Sequence, residues 1–425
     1  MKIKNHLKRL LKPTIHPIEK GVFLKTHLIF FGIGFALFLF FHSVPLEFYS
    51  FKEIAIEDID FSDLYYQNQD TLSKSDSAKT SNIIIINSGS LKNEEGYGRR
   101  REMIQLIRAL TDSSYCQPKK IGVDLEYDVE RDTKTDKELE NLFIEKQCVV
   151  AESKQNKTIF KKLQTYNVNF PDEENKTVRM YYNYNRIHGD TIKNTFANGC
   201  LDRDYDTIKE EEFHLKYYCK GKGFYNVFDK NEEEKVFAFP AIEADTILKG
   251  MSKEDRIKFF HNKIVLIGHL GEGIEKMNNV DDMTDKHQSP TGLEFIFKEK
   301  IMPGVVIHAN AIKQLQLGEK MHCINGFKYF VLLYFITGYF FLIFILIENL
   351  KNVYVQIVVE ITVMIASIIF INYLSIKLMG LSYHLNTVYI GIAMIFLIEL
   401  KSFFVESYHE KAKHKRQQQK HINNE

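Results

Sequence analysis

Apolar positions in this chain are gathered into blocks, and four blocks reach the length of a bilayer-spanning helix, roughly 20 residues. They cover residues 28–44, 327–347, 353–373 and 385–405. The first is the shortest and the densest (LIFFGIGFALFLFFHSV). A cleaved signal peptide is its alternative reading. The 27-residue leader and the lack of a small-x-small site before Pro45 favour an uncleaved anchor.

Between the first and second blocks the pattern changes. Asn82–Asn87 (NIIIIN) and Lys120–Leu125 (KIGVDL) are short continuous apolar runs, as expected of strands buried on both faces. Arg99–Leu110 places Met103, Ile104, Ile107 and Leu110 at helical spacing, and Asp136–Glu145 predicts an amphipathic helix capped by Thr135. Cys148–Ala151 predicts a third strand. This alternation implies a parallel sheet with right-handed crossovers. Residues 152–235 are rich in Lys, Asn and Tyr and poorly periodic, with one alternating run, Val178–Tyr184, that predicts an antiparallel or edge strand. Order returns with a predicted helix at Pro240–Leu248, a central strand at Lys263–Gly268 and a helix at Gly304–Leu317 begun by Pro303. The expected architecture is an α/β domain over 45–326 with a mainly parallel sheet, a polar lead-in at 45–75 and a loopy insertion at 152–235. One transmembrane helix precedes it and three follow.

Charge sharpens this picture. The chain as a whole carries 56 Lys+Arg against 55 Asp+Glu, but residues 45–326 net −8 and the remainder +9. Seven basic residues stand against one acid in residues 1–27, and five against three in residues 406–425. Basic segments beside spans resist translocation, so both termini are expected in the cytoplasm and residues 45–326 outside it, in the periplasm of a cell-membrane protein. A near-neutral total without a basic stripe excludes a dedicated nucleic-acid binder. The leader, the loop at 348–352 and the tail are each too short to fold as a catalytic domain.

Candidate chemistry lies mainly at strand ends, where open α/β sheets bind ligands. Asp124, Glu126 and Asp128 close the KIGVDL strand; Gly268, Gly271 and Gly273 follow KIVLIG, with Asp281, Asp282 and Asp285 shortly after. These carboxylates suit a hard cation or a cationic ligand, or are hydrated turn and cap residues. No EF-hand ladder is present, and no metal or cofactor is expected. The glycine run lacks a following helix and the G-K-[ST] ending of a phosphate loop. His308 and Asn310 sit one turn into the helix after Pro303-Gly304, able to line an anion pocket or to satisfy buried carbonyls. Neither a G-x-S-x-G elbow nor an HExxH pair occurs, so no enzyme is expected. Cys116 with Cys148, and Cys200 with Cys219, are possible disulfides in an oxidising compartment; free thiols are the alternative, and Cys323 is left over. Within the third span, Gln356, Glu360 and Ser367 share one face, and an intramembrane carboxylate either holds helices together or serves transport.

Three segments carry a resemblance: FFHNKIVLIG at Phe259–Gly268, DDMTDKHQSPTG at Asp281–Gly292, and MPGVVIHANAIKQLQLG at Met302–Gly318. With SNIIIIN and IGVDLEYD near the start, they resemble the second type of the CHASE extracellular sensory domains, and the one-plus-three span arrangement resembles that family too. The resemblance implies an integral membrane receptor with an unassigned small-molecule or protein ligand outside. The family usually carries a cytoplasmic kinase, cyclase or phosphodiesterase after the third span. Here a basic tail follows instead, so the expectation is signalling through a separate partner inside, in a possible homodimer. An envelope scaffold without transmembrane signalling is the alternative, and a transporter subunit resting on Glu360 and Gln356 is a third.

Overall fold

Isoleucine and valine runs with no polar break form strands only where both faces are covered, and the computed structural model places them that way. It describes residues 20–43, 82–91, 100–111, 115–153, 157–171, 178–187, 191–203, 211–218, 224–228, 239–271, 286–288, 301–324, 326–348, 350, 352–385 and 388–422. The expected lead-in at 45–75 lies outside the described residues.

In chain order the elements begin with α1 (Lys20–Ser43), β1 (Ile83–Asn87), α2 (Arg100–Thr111), β2 (Lys120–Asp124), α3 (Thr133–Glu145), β3 (Val149–Glu152) and β4 (Thr165–Asn167). The insertion continues with β5 (Met180–Tyr182), β6 (Tyr184–Ile187), β7 (Thr191–Asn194), α4 (Phe196–Cys200), β8 (Glu212–His214) and β9 (Phe224–Asn226). Then come β10 (Phe239–Glu243), α5 (Ala244–Leu248), α6 (Lys253–Phe260), β11 (Ile264–Gly268), β12 (Lys286–Gln288), β13 (Ile301–Pro303) and α7 (Gly304–Leu317). Three long helices follow: α8 (Gly326–Glu348), α9 (Val353–Gly380) and α10 (Val388–Ile422).

The chain divides into two units, residues 66–322 and residues 1–65 with 323–425. The first is built on a seven-stranded sheet of order β4-β3-β2-β11-β1-β10-β9, and all six pairings are parallel. On one face Ile84, Ile86, Val123, Val265, Ile267 and Ile242 form a core with Met103, Ile104, Ile107 and Leu110 of α2, Leu139 and Phe143 of α3, and Phe260 of α6. Side chains alternate across a strand, so the neighbouring positions face the other way. There Val305 of α7 lies against Gly268, and Phe196 and Cys200 of α4 against Gly122; a Cβ on either glycine would come within 3 Å of them.

Three expectations change. Pro240–Leu248 is not a single helix: Phe239–Glu243 is the sheet strand β10, and only Ala244–Leu248 is helical. A short apolar run buried on both faces carries no periodicity that separates strand from helix. The cap of α3 is Asp132, whose carboxylate accepts from the Lys134 N–H at 3.3 Å, while the Thr135 hydroxyl donates back to Asp132. The insertion is more than loop, since it supplies both edge strands of the sheet, β4 and β9, and the antiparallel pairs β5–β8 and β6–β7.

The second unit is helical. Among the described residues two helices, not four, are long and apolar enough to cross a membrane: Phe330–Ile347 in α8 and Val353–Gly380. The expected first and last spans overlap α1 and α10, and the described side chains of α1 supply a shorter apolar stretch, Val22–Ile33. Aromatic rings join these helices: Phe23 and Phe30 stack on Phe341 at 5.6 and 5.2 Å, and Phe30 meets Phe404 edge-on at 5.2 Å.

Candidate functional site

The connections after β1 and β2 lead into α2 and α3 on one face, whereas β11, lying between them, leads toward α7 on the other. Adjacent strands whose connections part to opposite faces leave a crevice at their carboxyl ends. The register sets its floor: Asn87, Gly268 and Asp124 are direct neighbours across β1, β11 and β2, and Asn87 also pairs with Glu243.

Asn87 knits this floor together. Its amide donates to both carboxylate oxygens of Glu243 at 3.2 and 3.0 Å and to the Gly271 carbonyl at 3.1 Å. Its oxygen accepts from the Gly89 N–H at 3.0 Å and the Leu270 N–H at 2.9 Å. The turn after β1 therefore lies directly on the turn after β11. A Cβ on Gly89 would come 1.8 Å from the Gly271 carbonyl oxygen, and Gly271 itself has φ 124°. The glycines of the GHLG segment thus permit close backbone approach.

Beside this floor His308 of α7 is 2% exposed. Its Nδ1 meets the Tyr181 hydroxyl at 2.7 Å, and its Nε2 faces Asp124 at 3.8 Å, beyond direct hydrogen-bond reach. Phe170 stacks on the ring at 5.2 Å and Phe196 tilts against it at 5.1 Å. Burial, with His287 adding a smaller repulsion, lowers its pKa from 6.5 to about 3, so the imidazole is neutral at physiological pH. Burial likewise pushes the Tyr181 hydroxyl well above its ordinary value, keeping the proton on oxygen.

Two further side chains of α7 bind the insertion by its backbone. Asn310 accepts from the Tyr218 N–H at 2.7 Å. One turn on, Gln314 accepts from the Lys216 N–H at 2.7 Å and donates to the His214 carbonyl at 2.9 Å. Spacing i, i+4 puts both on one helix face, where they take up backbone groups of the segment that follows β8. Glu319 closes the clasp, accepting from Lys216 at 2.6 Å and from the Tyr218 hydroxyl at 2.7 Å.

Of the residues singled out from sequence, Asp124, Gly268, Gly271, His308 and Asn310 gather at this end of the sheet or on the helix beside it. Glu126 points to solvent. Gly273, Asp281, Asp282 and Asp285 lie outside the described residues. Among the described residues no group of three His, Cys, Asp or Glu side chains is placed to hold a metal. Gln356 and Glu360 are half-buried on the inner stripe of α9 with buried Ser367, Ile371 and Ser375, while Ile357, Val358 and Ile361 are exposed.

Of the two alternatives for the cysteines, the structure has free thiols at the three described positions. Cys116, Cys148 and Cys200 are buried free thiols, and Cys219 lies outside the described residues. Cys116 donates to the Arg256 carbonyl of α6 at 3.4 Å, whereas Cys148 packs at the foot of β3. Burial pushes the Cys148 thiol up to about 12, so it stays protonated and unreactive. Asn87, Tyr181 and Gln314 escaped the sequence reading because their roles depend on partners distant in the chain. The one local signal was a polar residue closing each of the runs NIIIIN and KIGVD.

Comparison with known proteins yields a family match. The family model of the CHASE2 domain covers residues 35–345, from within α1 to near the end of α8, and so spans the whole parallel sheet and the clasped α7. No curated protein and no solved structure matches the chain. With most of its length covered by that model, the chain belongs to the CHASE2 domain family.

Proposed function

We propose that this protein is an integral membrane receptor whose CHASE2 domain senses a ligand outside the cytoplasm at the carboxyl end of its parallel sheet. The observation that carries the reading is the position of α7. One side of this helix contacts the floor of the crevice through Val305 and His308, and the other is clasped to the insertion through Asn310 and Gln314. After Gly318 the chain enters the apolar helix α8 at Gly326. A ligand that shifts the crevice loops acts on the helix that leads directly into the membrane segment.

In this reading all four helical segments α1, α8, α9 and α10 cross the bilayer. The acidic domain lies outside and the basic ends lie inside, following the charge asymmetry of −8 against +9. Past its apolar part α10 remains helical, with Tyr408 and Ala412 buried and Lys411, Lys413, Arg416 and Lys420 exposed. That basic face suits an acidic surface on a separate signalling protein.

Crosslinking of the full-length protein in its native membrane, followed by capture and mass spectrometry, tests this reading. The expected result is a protein bearing a cytoplasmic kinase, cyclase or comparable output domain, retained by the full chain and lost when residues 406–425 are deleted. Capture of envelope proteins alone, indifferent to that deletion, would leave a scaffold in place of a receptor.

A further inference from the structure

Three hydroxyl oxygens at the carboxyl end of the sheet are buried with no hydrogen-bond partner: those of Ser88, Ser90 and Tyr127. Ser88 and Tyr127 are each 1% exposed. Native folds leave few buried polar atoms unsatisfied, because each costs about 1–3 kcal/mol, so three at one end of one sheet need an explanation.

Ser88 and Tyr127 belong to the same side of the sheet, and Ser90 lies in the turn directly after Ser88. The Ser88 N–H still bonds the Gly268 carbonyl at 2.9 Å, so strand alternation continues from Ile84 and Ile86 to Ser88 and places its side chain on the α2 face. Tyr127, and Leu91 next to Ser90, belong to the core beneath α2. The twelve-residue helix α2 starts at this edge, its first residue, Arg100, lying 4.9 Å over the Tyr127 ring and donating to the Val129 carbonyl at 2.9 Å. The first-turn N–H groups of a helix have no acceptor within it and carry partial positive charge. Arg101 is exposed beside them.

The nearby carboxylate of Asp136 is already committed. It accepts from Arg100 at 2.9 Å and from the backbone N–H groups of Arg131 and Asp132 at 2.9 and 3.2 Å. Burial raises the Tyr127 hydroxyl above its ordinary value, so it keeps its proton. What the edge offers is three hydroxyls beside the positive end of α2, with the exposed guanidinium of Arg101 next to them.

We propose that this edge binds a small oxyanion group of the phosphate type, with the Ser88, Ser90 and Tyr127 hydroxyls donating to it at the N-terminus of α2. This names the ligand class of the sensory site proposed above and rests on that reading for its role. The binding itself is independent of which way the domain faces, so a failed binding assay and a failed topology are separate results.

The probe is inorganic phosphate, added to the detergent-solubilised full chain against chloride at equal ionic strength, with the unfolding midpoint as readout. Phosphate is expected to raise the wild-type midpoint saturably. Ser88→Ala and Tyr127→Phe are each expected to weaken the apparent affinity by about tenfold to a hundredfold, the loss of one hydrogen bond to a charged group. Without phosphate both variants should unfold at or above the wild-type midpoint, since removing an unsatisfied hydroxyl costs little. Phosphate acting no differently from chloride would overturn the proposal. So would variants that keep the full shift, or a midpoint lowered by Ser88→Ala or Tyr127→Phe without phosphate, which would show that the hydroxyls are satisfied internally.

Discussion

Replacing Asn87 by leucine lowers the unfolding free energy of the sheet unit by roughly 4 kcal/mol, close to half the stability of a typical domain. Asn87 is fully buried, and its one side chain ties β10 to the turns that follow β1 and β11. Leucine keeps the four-atom branched shape of asparagine and is bulkier, so none of the loss comes from a cavity. The cost comes from the N–H groups of Gly89 and Leu270 and the carbonyl of Gly271, which lose their partner in a place water cannot reach. Buried unsatisfied groups cost about 1–3 kcal/mol each. Partial relaxation of the two turns brings the total down to the stated figure. Glu243→Gln is the matched comparison: the amide oxygen still accepts from Asn87, and the expected loss is about 1 kcal/mol or less. Chemical denaturation of the full-length protein in detergent measures both. If Asn87→Leu cost no more than Glu243→Gln, Asn87 would not be the knot that holds the crevice floor.

Acidification is expected to weaken the domain through His308. The folded ring has its pKa near 3 and the unfolded ring near 6.5, so below pH 6.5 the unfolded chain takes up a proton that the folded chain refuses. The stability this group supplies is therefore complete above pH 6.5 and is lost as pH falls toward 3. The slope is about 1.4 kcal/mol per pH unit, or roughly 3 kcal/mol between pH 6.5 and 4. Among the described residues Asp124, 3.8 Å from Nε2, is the carboxylate that faces the ring, and His287 is the neighbouring base. Desolvation outweighs the carboxylate because the ring is enclosed by Phe170, Phe196 and Tyr181. His308→Gln can still meet the Tyr181 hydroxyl and does not titrate, so its stability should vary less with pH by about that slope. Unfolding midpoints of wild type and variant from pH 7.5 to 4 give the comparison. Parallel curves would show that His308 is protonated in the fold.

Central strands, core helices and the parallel arrangement were legible in the sequence, because each rests on a local pattern. NIIIIN, KIGVDL and KIVLIG are unbroken apolar runs that a sheet must cover on both sides, and the Met103–Leu110 spacing admits only a helix. What escaped depends on partners elsewhere in the chain. The edge strands β4 and β9 are three residues long and exist because β3 and β10 offer them a ladder. Phe239–Glu243 reads equally well as either element until its place between β1 and β9 is known. Asp124 and His308 stood out as a strand-end carboxylate and a helix-start histidine. That they face one another, and that Tyr181 from the insertion completes the contact, follows from topology alone. Whether the cysteines pair stayed open in the sequence for the same reason, since sequence position says nothing about which core a thiol enters.

The account stands most directly on which side of the membrane the CHASE2 domain lies. In a chain with Cys219 and Cys323 replaced by serine, the remaining cysteines are buried, and single reporters can be placed at Lys137→Cys on exposed α3 and Lys413→Cys on exposed α10. Right-side-out membrane vesicles are treated with a membrane-impermeant maleimide before and after permeabilisation. The account predicts that the reporter at position 137 is labelled at once and the one at 413 only after permeabilisation. The reverse pattern, or a domain reporter shielded until the membrane is opened, would contradict an extracytoplasmic sensor.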